Sequence, residues 1–424
     1  MREGDVFVNT GVWENLYQSL QKPQMDPVIA GFNANIDRVI PVTSGMLRSF
    51  EQHTVPGFDA LLDRLKHSMR YCSADEVFIS EQSVYHELTD SFSTSGTLAI
   101  GGQAGIAAVH MRRLGITSVY CAVPGAGPQT CDILQNAGVI PLTFESGAGD
   151  RSDTTHLIFE YTPDLVPVAD GVVPRSNRFI VSPVHDSSTV IIPEAFENSF
   201  LEQIASCRRA FLSGYQYLRT EQEFIIAARQ IRMIRDVHPL MRTHVECVSG
   251  ADRSVLAMML RYIIPNTDSI GLNEQELGLF MQVLRATDPA SAAILPSSPV
   301  AYVREAIALA DATGVPRIHL HTFGYYILIL KPGTVQPDLS RDALLLAARV
   351  TADTAGGDEQ ILSREGLLAY AAVREVFGPD QTPGIFRVGD RVVVLIPTYI
   401  SQNIHKTTGL CDVLSSTAFV ADPF

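Results

Sequence analysis

The sequence predicts an α/β protein, a sheet covered by helices on both faces, with a second, smaller unit set into it. Three observations carry this expectation. Short apolar runs alternate with amphipathic stretches along most of the chain, the pattern of strands packed between helices. Two segments break that rhythm. Polar residues gather just after the apolar runs, where open α/β sheets bind their ligands. The 424 residues, 46% of them apolar, suffice for one large core and a smaller one.

Strand-like runs occupy 28–32, 119–123, 178–181, 210–213, 243–247 and 317–321. The more apolar runs 325–330 and 392–396 are too short to cross a bilayer and read as buried strands. Helical spacing marks 104–114, 221–235, 252–263, 274–284, 303–312 and 341–355. The rhythm fails over about 37–96 and 152–182; in the latter, 154–161 and 178–181 are strand-like with little helix between. These two segments are expected to fold together as a small lid domain, leaving 1–36, 97–151 and 183–424 as the large α/β domain.

The formal charge of -14 offers no basic stripe for a nucleic acid. A nucleotide needs only a few local cations and stays compatible. Cys72, Cys121, Cys131, Cys207, Cys247 and Cys411 are scattered, without zinc spacing. They read as free thiols of a reducing compartment. The start, Met1-Arg2-Glu3-Gly4-Asp5, lacks the features of a signal peptide. A soluble cytoplasmic protein without a membrane partner is expected. No repeat of solenoid period is evident.

The most informative stretch is Thr407-Thr408-Gly409-Leu410-Cys411-Asp412, between an apolar run and a helical pattern. A helix start leaves backbone N–H groups unpaired, which suits a phosphate or a developing oxyanion. Asp412 beside them can take a proton from an alcohol attacking phosphorus. An ordinary capping aspartate would give the same pattern. In Gly31 to Asp37, extended chain puts Asn33, Asn35 and Asp37 on one face, able to grip sugar hydroxyls. An Asn/Asp-rich turn is the alternative. Gly101 and Gly102, before Gln103, let backbone come close to a bound molecule. They form neither a dinucleotide fingerprint nor a P-loop, and a tight turn with no ligand is the alternative.

His244 and Glu246 share one side of a strand end, and Glu246 can hold magnesium through water. Asn273 and Glu276 have the spacing of a plain capping box. A carboxylate at that sheet edge also suits a magnesium–phosphate complex. Arg175 and Arg178 offer guanidinium groups for phosphate, or two solvated surface charges. His319 and His321, followed by Thr322, Phe323 and Tyr325, can wall an adenine pocket. No third soft ligand accompanies the histidines, so zinc is not expected.

In their order, these pieces resemble the ADP-dependent sugar kinases, the glucokinases and phosphofructokinases of ribokinase-like fold. The resemblance runs through most of the chain. It implies a three-layer α/β/α large domain that binds nucleotide and a small, mainly β lid that binds sugar. It implies sugar contacts from Asn33, Asn35, Asp37, Gly101, Gly102 and Gln103, and from Glu76 as in the glucokinases. Nucleotide contacts would come from Arg178, His321, Thr322, Tyr325, Thr408 and Gly409, and magnesium handling from Glu246 and Glu276. Asp412 would be the catalytic base, with Gly409, Cys411 and Arg178 around the transferring group. The co-substrate would be ADP with Mg2+, the acceptor glucose first and fructose 6-phosphate second. The assembly would be a monomer or a weak homo-oligomer.

The sequence departs from the family at two places. Cys411 stands where the pattern has glycine, and a left-handed backbone there would distort the anion hole. Around Glu76, the stretch Arg70 to Asp75 lacks the family's glycine and lysine. These differences leave open a homologue that uses ATP or another small alcohol. They also leave open a catalytically silent nucleotide- or sugar-binding protein.

Overall fold

The protein is described from a computed structural model. It covers residues 10–51, 57–72, 75–144, 153–163, 167–168, 171–174, 176–184, 190–248, 252–285, 298–333, 336–357, 359–402, 404, 406 and 408–424. Arg175 and Thr407 lie outside the described residues.

A ten-stranded sheet forms the centre of the large domain. Its order is Ile385–Val388, Arg391–Pro397, Tyr325–Leu330, Arg317–His321, Ser269–Asn273, Arg242–Glu246, Arg209–Leu212, Val28–Gly31, Val119–Ala122 and Ile140–Leu142. From Ile140–Leu142 to Arg317–His321 every pairing is parallel; beyond Arg317–His321 the pairings are antiparallel. Strands such as Tyr325–Leu330 and Arg391–Pro397 are buried along their whole length. That is why their sequences are continuously apolar rather than alternating. Side-chain period two splits the sheet into two cores. Ile29, Leu212, Val245, Ile270 and Leu320 belong to one. Val28, Ala30, Cys121 and Phe211 belong to the other, together with Phe419 of the helix Leu410–Ala421. This is the expected three-layer arrangement.

The second sheet has five strands in the order Asp75–Ile79, Asn177–Pro183, Thr155–Tyr161, Asn35–Pro41 and Thr97–Gly101. Alternation divides its faces. Leu157, Phe159, Tyr161, Phe179 and Val181 point into a separate apolar core. His156, Ile158, Arg178 and Ile180 point to the opposite side, into a cleft. The core side is covered by the helices Ser44–Glu51, Phe58–Tyr71 and Gln82–Ser91. Phe58, Leu61, Leu62, Leu65 and Met69 supply the buried stripe of the longest. So the β-rich lid carries helices that the sequence reading of 37–96 did not resolve.

One strand differs from expectation. Thr97–Gly101, assigned from sequence to the large domain, pairs antiparallel with Asn35–Pro41 in the smaller sheet. The large-domain pattern resumes only with the helix Gln103–Arg113. The chain thus leaves the large sheet through Phe32-Asn33-Ala34 and returns at Gly102. The two crossings touch: a Cβ on Gly102 would lie 2.6 Å from the Asn33 carbonyl oxygen. Gly102 is left-handed in φ (73°), so glycine is required there for conformation and for space.

Candidate functional site

Between the two sheets lies a cleft of about 390 Å³. Each wall brings its own chemistry. Asn33, Gly102 and Gln103 come from the crossings, Asp37, Glu76 and Arg178 from the lid sheet. Thr408, Gly409 and Asp412 come from the start of the helix Leu410–Ala421. Residues far apart in sequence converge because the lid strands face the crossings and the start of this helix across the cleft.

Gly409 is the N-cap of that helix, with φ 73°. Asp412 follows in the first turn, facing the cleft while only 8% exposed. Its carboxyl is pushed up to about 7, chiefly by burial. Arg178 and Lys406 pull it down and Asp37 pushes it further up. A helix N-terminus favours the charged form; here withdrawal from water outweighs it. Cys411 is exposed in the same first turn. Among the described residues, Cys72 alone has a positive φ without being glycine. The cysteine at the family's glycine position therefore imposes no left-handed strain on the turn.

On the acceptor side, Asn35 and Asp37 lie on one strand face, and Asn35 Nδ2 donates to Asp37 Oδ1 at 2.8 Å. Asn33 is not part of that strand. It sits in the crossing, its Oδ1 accepting from Ser213 Oγ at 2.5 Å and the Ala104 N–H at 3.3 Å. Asp37 is pushed up to about 7 by burial, against the pull of its Asn35 hydrogen bond. Glu76 is open to the cleft, accepts from Ser182 Oγ at 2.7 Å, and is raised by the enclosing walls. Gln103 Nε2 donates to the Cys247 carbonyl at 3.3 Å, leaving its buried Oε1 without a partner.

Gly101 does not line the cleft. A Cβ there would lie 1.9 Å from Asp37 Oδ1 and 2.4 Å from Asn35 Nδ2. Gly101 thus makes room for the site's own side chains, while Gly102 lines the cleft.

Behind the helix, Glu246 is fully withdrawn from water and its carboxyl is raised well above the usual range by burial. Glu246 Oε2 accepts from Ser415 Oγ at 2.5 Å and lies 3.1 Å from His244 Nε2. His244 is sandwiched between Phe211 and Phe419, and burial keeps it neutral. Glu276 forms the capping box that its spacing suggested: Oε2 accepts the Asn273 N–H at 2.7 Å, while Asn273 Oδ1 accepts the Glu276 N–H at 2.9 Å. No group of three or more His, Cys, Asp or Glu among the described residues could hold a metal ion. Glu246 and Glu276 are both buried and hydrogen-bonded, a donor set suited to contact through water rather than to a closed metal cage.

His321 is buried, and Thr322 directs its hydroxyl to the Tyr325 carbonyl at 2.7 Å, closing a tight turn. Tyr325 is buried too; the aromatic left exposed in this turn is Phe323, at 63%. Of the six residues assigned to nucleotide from sequence, Arg178, Thr408 and Gly409 line the cleft, and His321, Thr322 and Tyr325 do not.

Sequence reading missed His156, Tyr217 and the lid contact of Thr408. Strict alternation in Thr155–Tyr161 would have placed His156 beside Ile158 on the cleft face. Tyr217 follows the strand Arg209–Leu212 in an irregular turn, for which no periodic signal exists. Thr408 Oγ1 donates to Glu160 Oε1 at 2.7 Å, across from helix loop to lid strand. No helix of the described residues is long and apolar enough to cross a membrane.

Known proteins are similar to this chain in sequence and in fold. The conserved region of ADP-specific phosphofructokinase/glucokinase matches residues 26–421. The ADP-dependent glucose/glucosamine kinase of Pyrococcus furiosus is 28% identical, covering 97% of this chain and 98% of its own. The ADP-specific phosphofructokinase of Methanosarcina acetivorans is 24% identical over 94% of this chain and 93% of its own. A solved ADP-dependent kinase in complex with fructose 6-phosphate and ADPβS superposes with a TM-score of 0.78 at 24% identity. It covers 97% of this chain and 96% of that one. With a match over nearly its whole length, this chain belongs to the ADP-specific phosphofructokinase/glucokinase family.

Proposed function

We propose that this protein transfers the β-phosphoryl group of ADP to a sugar hydroxyl, with glucose the first acceptor and fructose 6-phosphate the second. The observation that carries the reading is the placement of Asp412 and the Gly409 turn opposite Asn33, Asp37 and Glu76 in one cleft. A proton acceptor and an anion-stabilising helix start therefore face a set of hydroxyl-binding groups.

In this reading Asp37, Asn33 and the unpartnered Gln103 Oε1 orient the acceptor. Asp412 takes the hydroxyl proton as the sugar oxygen bonds to the β-phosphorus, and the bond from that phosphorus to the AMP oxygen breaks. Backbone N–H groups of the first helical turn and the Arg178 guanidinium stabilise the charge on the transferring group. Mg2+, when bound, neutralises phosphate charge, and Glu246 and Glu276 are the carboxylates that would hold its water shell. Glu76 favours an uncharged sugar, because a carboxylate opposing a sugar phosphate repels it. The lid closes over the acceptor and keeps water from the ADP.

The test is phosphoryl transfer by the purified protein, with ADP and ATP each offered to glucose and to fructose 6-phosphate. AMP and a sugar phosphate are expected from ADP. Product from ATP alone, or ligand binding without product from either donor, would overturn the proposal. A preference for fructose 6-phosphate would overturn the role given to Glu76 and leave the chemistry standing.

A further inference from the structure

The face of the large sheet beneath the helix Leu410–Ala421 carries polar side chains in register. Parallel pairing puts Phe211, His244, Ser269 and Arg317 side by side, with Glu246 level with Gly271 on the next row. Gly271 leaves the space that the others fill. A Cβ there would lie 2.0 Å from Glu246 Oε2 and 2.9 Å from His244 Nε2.

A continuous hydrogen-bonded chain runs through this row. Asp422, the C-cap of the helix, accepts from Arg317 Nε at 3.0 Å. Arg317 Nη1 lies 2.9 Å from Ser269 Oγ, which lies 2.8 Å from His244 Nδ1. His244 Nε2 reaches Glu246 Oε2 and Ser415 Oγ, each at 3.1 Å. Asp422, Ser269, His244 and Ser415 are 0% exposed and Arg317 1%, so water does not compete for these bonds.

The chain has a direction. A guanidinium has no acceptor, so Arg317 must donate to Ser269 Oγ. Ser269 then has one hydroxyl proton to place, and His244 Nδ1 is the acceptor within reach. If Nδ1 carried the ring proton, Ser269 would accept twice and its own proton would face no acceptor. Nδ1 therefore accepts, and the proton of the neutral ring sits on Nε2, aimed at Glu246. The rings of Phe211 and Phe419, at 5.2 and 5.0 Å, hold the imidazole plane without offering a competing hydrogen bond.

We propose that Ser269 and Arg317 are positioning residues, which fix His244 as its Nε2-protonated tautomer and through it set the orientation of Glu246. The consequence for catalysis rests on the role given to Glu246 above; the tautomer does not. The test is nitrogen NMR of the whole enzyme labelled with 15N-histidine, the His244 signals being assigned by His244→Gln. The wild type is expected to show an unprotonated Nδ1 and a protonated Nε2. Ser269→Ala is expected to lose that tautomer. Its kcat is expected to fall about tenfold and its Mg2+ requirement to rise about tenfold, as for outer-shell partners generally. Ser269→Thr, which keeps the hydroxyl, is expected to restore the tautomer. A protonated Nδ1 in the wild type, or an unchanged His244 spectrum in Ser269→Ala, overturns the proposal. Full activity in Glu246→Gln would overturn the role of Glu246 instead, and the spectra would still decide the tautomer.

Discussion

Asp412 and Asp422 stand at the two ends of one helix, both buried, and their surroundings make them opposites. Asp422 has both oxygens engaged: Oδ2 by Arg317 Nε at 3.0 Å, Oδ1 by Ser340 Oγ at 2.9 Å and the Phe424 N–H at 3.3 Å. Asp412, among the described residues, has only its own backbone N–H as a hydrogen-bond donor, and it faces a cleft. A buried carboxylate that is fully bonded holds the fold together. One left underbonded beside a cavity has a raised pKa and is free to take a proton. Residue type and burial are the same at both ends; the hydrogen bonds make the difference.

The sharpest way to break this comparison is Asp412→Asn. Turnover is expected to fall by about a thousandfold, within the range for a lost general base, with ADP binding retained in calorimetry. Comparable turnover would place the base elsewhere. Titration gives an independent check. Because Asp412 ionises at about 7, kcat/KM should rise with pH through that region and level off above it. The effect on stability has the opposite sign. The unfolded carboxyl ionises near 4 and the buried one near 7, so folding loses stability as pH rises across that window. Asp412→Asn should therefore melt above the wild type at pH 8 and gain no such advantage at pH 4.

At the other end of the helix the expected loss is of stability. Arg317→Met leaves Asp422 buried without its ion partner, which costs about 3–5 kcal/mol. Adding Asp422→Asn should recover part of it, since the stranded charge is gone. No recovery in urea melts would mean that the pair acts through packing alone. Gly271→Ala ranks next. Its Cβ would enter the space of Glu246 Oε2, and overpacking of this kind costs about 1–3 kcal/mol. Because that space belongs to Glu246 and His244, activity should fall further than the loss of folded protein explains.

How much of this was legible depended on whether the signal was periodic. The strands Tyr325–Leu330 and Arg391–Pro397 stood out because covering both sheet faces demands nearly unbroken apolar runs. Asp412 was singled out because it follows the run 392–396 and opens a helical pattern, whereas Glu76 was assigned only through the resemblance. Of the glycine pair, Gly102 lines the cleft, but Gly101 clears Asp37 and Asn35, a contact across strands that no local pattern encodes. The chain from Asp422 to His244 was invisible for the same reason, since it depends on register among three parallel strands. Glu276 was a case where two readings shared one pattern, and the capping box is the one whose hydrogen bonds form.

The smallest effect should come from Thr408, which links the two regions of the site. Its hydroxyl donates to Glu160 on the lid strand Thr155–Tyr161, at the half-buried edge of the cleft. Thr408→Val keeps the shape and removes one hydrogen bond, worth about 1 kcal/mol, or roughly a fivefold change. If the bond only helps the lid rest against the helix start, acceptor KM should rise by that factor with kcat unchanged. Thr408→Ser should restore the wild-type value. If kcat falls instead, with KM constant, the contact strengthens as phosphoryl transfer proceeds. The lid would then take part in the chemical step together with the helix that carries Asp412.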